Sequence, residues 1–283
     1  MNSHLNKNFF VSIFNYVKAV VLVVFKWFKY LYKGIFRLLA IFIFLAVWEI
    51  APRLGLVDTS FLPPFSKVAL AFWKLLITGE LIKHVGISLY RAILGFSLGM
   101  LFAIPLGLII GWFKVFERFI DPLMQTFRQT STLALLPVFV ILFGIGETSK
   151  VAVIFWGVQW AVLLSTIGGV KSIDPLFIKS ARSMGTPPLT LFLRVILPAA
   201  LPSIFTGVRL SATHAILILI AAEMLGANKG LGFLLFNAQA NWLIPTMYAA
   251  IITMSLLGLI INYSLVALEK RTLKWKEDLP ASN

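Results

Sequence analysis

Cysteine is missing from all 283 residues, which rules out disulfides and thiolate chemistry and is compatible with any compartment. Histidine is scarce as well: three residues, with no cluster of neighbouring carboxylates, give no metal site. A phosphate-cradling Gly-x-x-x-x-Gly-Lys-Ser/Thr loop is absent, and the nearest string, Gly144 to Lys150, lacks the spacing. There is no HExxH pair, no Gly-x-Ser-x-Gly elbow and no paired carboxylate within an apolar stretch. These absences exclude ATP hydrolysis by the chain itself and intramembrane hydrolysis. Acidic residues are few, 11 against 25 Lys and Arg, for a formal charge of +14. In a soluble protein that excess would suggest nucleic acid. Here 59% of residues are hydrophobic, 13% are charged and the mean hydropathy is +0.93, more apolar surface than a soluble domain of this length can cover. The chain reads as an all-α membrane protein that crosses the bilayer several times, with its basic residues held at the inner face and no nucleic-acid partner.

Against that background, residues 171–198 (KSIDPLFIKSARSMGTPPLTLFLRVILP) form the only substantial polar island in the second half. Local signals predict a helix-turn-helix. Asp174 caps a helix opening at Pro175, and Gly185 closes it in the left-handed conformation. Thr186 then caps a short helix opening at Pro187 and Pro188, and Pro198 marks the next break. Leu176, Phe177, Ser180, Ala181 and Met184 share one face, with Lys179, Arg182 and Ser183 to the side. Apolar ends and a small middle suit docking into another protein's groove; the alternative is an ordinary amphipathic loop helix.

The spacing of this island resembles the cytoplasmic motif of ATP-binding-cassette importer permeases: Glu-Ala-Ala, three residues, Gly, nine residues, a hydrophobic residue, any residue, Leu-Pro. In this chain Ala181, Gly185, Leu197 and Pro198 fit, whereas Lys179 and Ser180 replace the Glu and the first Ala. Roughly residues 40–270 resemble the subfamily importing nitrate, sulfonates, taurine, bicarbonate or pyrimidine precursors. The phrases that carry this are Phe61-Leu62-Pro63-Pro64, Ser88-Leu89-Tyr90-Arg91 with Gly95-Phe96, Ile104-Pro105-Leu106-Gly107, Phe143-Gly144-Ile145-Gly146-Glu147 and Ala221-Ala222-Glu223-Met224-Leu225. The resemblance implies a type I importer transmembrane domain, paired as a homodimer in the bacterial cytoplasmic membrane. Two cassette ATPase subunits would grip the loop through Leu176, Phe177, Lys179, Ser180, Ala181, Met184, Gly185 and Pro198. ATP and magnesium would belong to those partners, leaving no cofactor in this chain, and an extracytoplasmic binding protein would deliver the cargo.

Residues 1–34 read as an amphipathic helix in the inner interface, with Asn15, Lys18, Lys26, Lys29 and Lys33 on one face towards anionic lipid; an extra span is the alternative. The permease domain then covers residues 35–268, with six expected spans near 35–50, 88–111, 122–144, 151–170, 199–224 and 244–268, and a basic tail over 269–283. Residues 66–81 form an amphipathic outer helix, and residues 226–242 an outer loop. This layout places seventeen Lys and Arg on the side of the 171–198 loop and six on the other, so that the loop and both termini are cytoplasmic. Gly95, Gly99, Pro105, Gly107 and Gly111 permit close helix contact and a kink in the second span.

Candidate pathway residues are polar groups within spans. Gln125, Gln129 and Thr132 share a face of the third, and Gln159 lies on the fourth. In the fifth, Arg209 lies near the midplane with Thr206 and Thr213 on its face and His214 adjacent, an arrangement suited to lining a path for a small oxyanion. A purely structural arginine satisfied by helix-end carbonyls is the competing reading. Pyrimidine or thiamine precursors are the alternative cargo, and a membrane receptor or scaffold docking a cytoplasmic partner is the alternative from another class.

Overall fold

The computed structural model describes residues 39–273. The expected interfacial helix of residues 1–34 and the last residues of the tail, 274–283, lie outside the described residues. No strand occurs among those described. Four helices are long and apolar enough to cross a membrane, where six spans are expected. The first expected span enters the description only at residue 39, and the third is broken.

The chain divides into two compact units, the first ending at Lys67. Its helix α1 covers 39–53. The connection that follows folds back on it: Trp48 Nε1 donates to Pro63 O at 3.1 Å, and Glu49 accepts from Ser66 N (2.8 Å) and Ser66 Oγ (2.9 Å). Arg53 pairs with Glu49 one turn away. The turn that leads back is set by Asp58, whose carboxylate accepts from Ser60 N at 2.7 Å; that bond holds its pKa below the usual carboxylate value. Helix α2 (Phe65–Ile77) begins on the last residues of this unit. Lys67 and Lys74 are exposed on it, while Val68 is fully buried.

In the second unit Gly79, at φ 72°, turns the chain into α3 (Glu80–Trp112), which begins well before the expected 88 and runs through Pro105 without ending. It packs along α6 (Glu147–Lys171), and α6 packs in turn along α9 (Leu197–Gly226). Glycine makes both approaches possible. A Cβ at Gly95 would lie 2.7 Å from Ile154 Cβ, one at Gly107 2.7 Å from Thr166 Cβ, and one at Gly111 2.8 Å from Val170 Cβ. Across the second seam, a Cβ at Gly207 would lie 2.6 Å from Ser165 Cβ, and one at Gly169 2.7 Å from Ser203 Cβ. Without a solvent-driven force between helices in lipid, this backbone proximity supplies the dispersion contacts that hold them. The expected close contact at Gly95, Gly99, Gly107 and Gly111 is therefore present, and its partner is α6.

The third expected span is two helices. α4 (Lys114–Gln129) begins before the expected 122, and the short α5 (Leu136–Phe143) follows after a break over 130–135. Pro137 lies in the first turn of α5, where its missing N–H costs nothing. Thr126 and Thr130 also turn their hydroxyls onto carbonyls of α4. Pro198 does not interrupt helix. The chain is helical from Pro188 to Gly226, through α8 (Pro188–Leu191), a π-helical turn (Phe192–Ile196) and α9. Pro198 has no N–H for Arg194 O, and Leu197 N bonds Phe192 O, so the turn widens instead of breaking. The expected outer loop of 226–242 contains a helix, α10 (Leu231–Ala240), packed on α9 and on α11 (Ile244–Thr272).

The glycine seams allow a direct check. Gly107→Ala is expected to lower stability by about 1–3 kcal/mol, the usual cost of overpacking, whereas Gly86→Ala, with nothing within 4 Å of its added Cβ, leaves it unchanged. Unfolding midpoints of the purified variants in detergent would read the difference.

Candidate functional sites

The polar hairpin between α6 and α8 is built as its local signals require. Asp174 accepts from Leu176 N at 2.8 Å and caps α7 (Pro175–Ser183), whose first residue is Pro175. Gly185 takes φ 70°; its N–H bonds Arg182 O at 2.9 Å, and Thr186 N bonds Ala181 O at 3.2 Å. Those two bonds are a Schellman closure, which only a residue tolerant of the left-handed region completes without strain. Pro187 rather than Thr186 occupies the N-cap of α8, with no side-chain cap.

Leu176, Phe177 and Met184 are 65%, 65% and 77% exposed, and Lys179 and Ser180 are exposed beside them. Ala181 is the exception to the anticipated face. It is 5% exposed and joins the apolar core with Ile173, Leu191 and Ile196. Pro198, half-buried at the start of α9, is likewise away from the exposed surface. The hairpin base is braced on two helices: Lys171 pairs with Glu117 of α4, and the Arg182 guanidinium stands 6.0 Å from the Trp112 ring at the end of α3.

The expected pathway residues are dispersed. Gln125 and Gln129 are exposed on α4, where Gln125 accepts from Arg128 at 3.0 Å. Thr132 lies in the break after α4, against Gly157 of α6. Gln159 is 4% exposed in a cleft of about 270 Å³ shared with Phe127, Trp156 and Trp160. On α9, the Thr206 and Thr213 hydroxyls donate to Pro202 O and Arg209 O, and the His214 ring bonds Leu210 O. Arg209 is held by neither helix-end carbonyls nor the threonines: Glu269 Oε2, in the last turn of α11, stands 3.5 Å away. Arg209 of α9 thus faces α11, while Gln159 lies in a cleft beside α3 and α4.

A site that the sequence reading does not assemble lies at the opposite end of α6 from the hairpin. Arg91 of α3, 2% exposed, places its guanidinium between two carboxylates 76 positions apart in the chain. Its Nε and Nη2 donate to Glu147 at 2.5 and 2.6 Å, a bidentate clamp, and Nη1 donates to Glu223 Oε1 at 2.7 Å. Glu223 is completely buried and also accepts from Ser88 Oγ (2.8 Å) and Gly232 N (2.8 Å). The segment joining α9 to α10 closes over it: Lys229 O accepts from Arg91, Gly230 N donates to His84 Nδ1, and Leu231 N donates to Ser88 Oγ. Gly230, at φ 123°, is required twice over, because an added Cβ would also stand 2.4 Å from the Glu223 carboxyl carbon. The signal for this network was an ionisable residue in each of three apolar helices; what joins them is register across the bundle.

Residues 103–274 match the family described as binding-protein-dependent transport system inner membrane component. SsuC of Escherichia coli (strain K12), named an aliphatic sulfonates transport permease protein, is 38% identical over 230 residues, covering 81% of this chain and 88% of that one. The chain belongs to this permease family. The taurine transport system permease protein TauC of the same strain is 33% identical over 238 residues, 82% of this chain and 86% of that one. The formylaminopyrimidine transport permease protein ThiX of Halalkalibacterium halodurans is 28% identical over 247 residues, 87% of this chain and 98% of that one. A chain from inward-facing crystals of the MetNI methionine ABC transporter superposes with a TM-score of 0.61 at 18% identity, over 68% of this chain and 95% of that one. The fold is therefore that of a type I ABC importer permease, and the chain is a multi-pass inner-membrane component.

Gly230→Ala is expected to destabilise the permease by on the order of 2–4 kcal/mol, as overpacking against a buried ion pair does. Gly226→Ala, where nothing lies within 4 Å of the new Cβ, is expected to be neutral. Thermal unfolding in detergent would separate the two.

Proposed function

We propose that this permease carries a small sulfonate-type oxyanion inward, driven by two cassette ATPase subunits that grip α7 on the cytoplasmic side, with a second copy of the chain completing the pathway. Its relatives are named for aliphatic sulfonates and taurine at 33–38% identity over more than four-fifths of the chain, and that observation carries the cargo assignment. An extracytoplasmic binding protein delivers the cargo at the end opposite the hairpin, and ATP with its magnesium resides on the partner subunits.

Coupling follows from the shape of the hairpin. Leu176, Phe177 and Met184 offer an apolar surface that water covers at a cost and a partner groove covers without one. Asp174 and Gly185 fix both ends of α7, and Lys171–Glu117 fixes its base, so a displacement of the exposed face is passed to α6 and α8 rather than absorbed in the loop. ATP-driven closure of the partners draws the two hairpins together and tilts the spans into an outward-open arrangement; hydrolysis resets them. Lys179 stands where the family motif has glutamate, so docking rests on the apolar contacts and not on a carboxylate of this helix.

Cells carrying the complete transporter are expected to accumulate labelled taurine or ethanesulfonate, and cells lacking this chain are not; selective accumulation of formylaminopyrimidine instead would overturn the cargo assignment. For coupling, a Cβ added at Gly185 meets no atom within 4 Å, but Gly185→Val forces a β-branched residue to positive φ, at a cost of about 1–2 kcal/mol. Insertion should be normal, with ATP hydrolysis continuing while uptake falls several-fold, and Gly185→Asn should retain most of the uptake. Tightly coupled transport in Gly185→Val would count against the hairpin as the transmitting element.

A further inference from the structure

The clamp on Glu147 has an open side. A cleft of about 290 Å³ is lined by Tyr90, Arg91, Glu147, Lys150, Asn228 and Lys229, among others. Three cations and one carboxylate line it, because Glu223 is sealed beneath the glycine segment and does not reach it. Lys150 is 4% exposed, and its ammonium, with three donors, makes one hydrogen bond, to Gly146 O at 2.9 Å. Glu147 differs from its partners in being 57% exposed while its carboxylate fills the bidentate edge of a buried guanidinium. A carboxylate held that way occupies the place that a planar fork offers to any small oxyanion. Most of its side chain is already in water, so leaving costs its own hydration little, and what must be replaced is its hold on Arg91.

We infer that this cleft is the docking site for the cargo's oxyanion, a monovalent alkanesulfonate head group that displaces Glu147 from Arg91 and is completed by Lys150 and Lys229. The inference rests on the sulfonate reading above and adds where the anion first meets the chain. The location suits that task. α6 runs from Glu147 to Lys171 at the hairpin, so about 36 Å of helix separates the cleft from the ATPase-facing surface. Glu147 acts as a resident surrogate for the cargo: it neutralises the clamp while the site is empty and yields it when an oxyanion arrives. The clamp therefore never stands as an uncompensated buried charge. Net positive charge in the cleft attracts anions and discriminates against neutral molecules of the same shape.

The test is binding of ethanesulfonate to the purified permease–ATPase complex in nanodiscs, without the binding protein, by titration calorimetry. Glu147→Gln removes the competing carboxylate and is expected to lower Kd about tenfold, the scale of one charge-assisted contact. Lys229→Gln, a change at an exposed residue that leaves the fold undisturbed, is expected to raise Kd about threefold in the wild-type background. Ethyl methyl sulfone, the neutral isostere, should not bind. Equal Kd values for wild type and Glu147→Gln, equal binding of the sulfone, or no saturable ethanesulfonate binding in either protein would overturn the assignment. A lowered melting temperature in Glu147→Gln without tighter binding would also overturn it, reducing the clamp to a structural tie. The two levels separate cleanly: ethanesulfonate uptake by wild-type cells with an unchanged Kd in Glu147→Gln sinks the cleft alone, whereas absence of uptake sinks the cargo reading.

Discussion

A guanidinium taken out of water inside a bundle of apolar helices is tolerable only when carboxylates and carbonyls stand against it in fixed positions, and Arg91 has all of them. Glu147 comes from the start of α6, Glu223 from the end of α9, and Lys229 O from the segment beyond. Removing one member of such a group leaves the others charged in a poorly solvated place, at a cost of several kcal/mol. The network therefore constrains three helices and one connection at once. It also explains why the connection is built on Gly230 and Gly232, since added Cβ atoms there would stand 2.4 Å from the Glu223 carboxyl and from Ile220 O.

The rest of the second unit meets a different constraint at its other end. There the hairpin stands clear of the bundle and holds apolar side chains in the open, which a chain of this composition does where something else is to cover them. The two ends are connected by seams in which glycine brings backbones together, so little soft material lies between them. Ser211 Oγ adds a buried bond to Val158 O at 2.9 Å across the second seam. The exposed apolar faces of α5 and α11 are what lipid or a second copy of the chain would cover.

Much of this was legible in the chain before its fold was described, and the division between what was and was not is physical. Caps and closures depend on neighbours within six positions, so Asp174, Pro175 and Gly185 could be assigned their conformations directly. The glycines of α3 could be marked as contact points, though not matched to Ile154, Thr166 and Val170. Arg91 and Glu223 are 132 positions apart, and no periodicity relates them; each lay in a phrase noted only for family likeness. Pro198 carries the local signal of a helix break, but the widened turn before it absorbs the missing bond. Ala181 sits on a nine-residue helix that touches both solvent and core, for which a helical wheel draws no clear boundary. The break after Gln129 is hidden because Gln125, Gln129 and Thr132 also fit one polar face of a continuous helix, although the helix stops between them.

The uninterrupted run from Pro188 to Gly226 has a mechanical corollary. At 39 residues it is a strut of about 58 Å, with the hairpin attached at its foot and Glu223 three residues from its head. Each degree by which such a strut leans about its foot carries the head sideways by about 1 Å. A lean of only a few degrees therefore exceeds the tolerance of a hydrogen bond. The foot that carries the hairpin and the hold on Arg91 at the summit belong to one rod, and neither can shift far without disturbing the other.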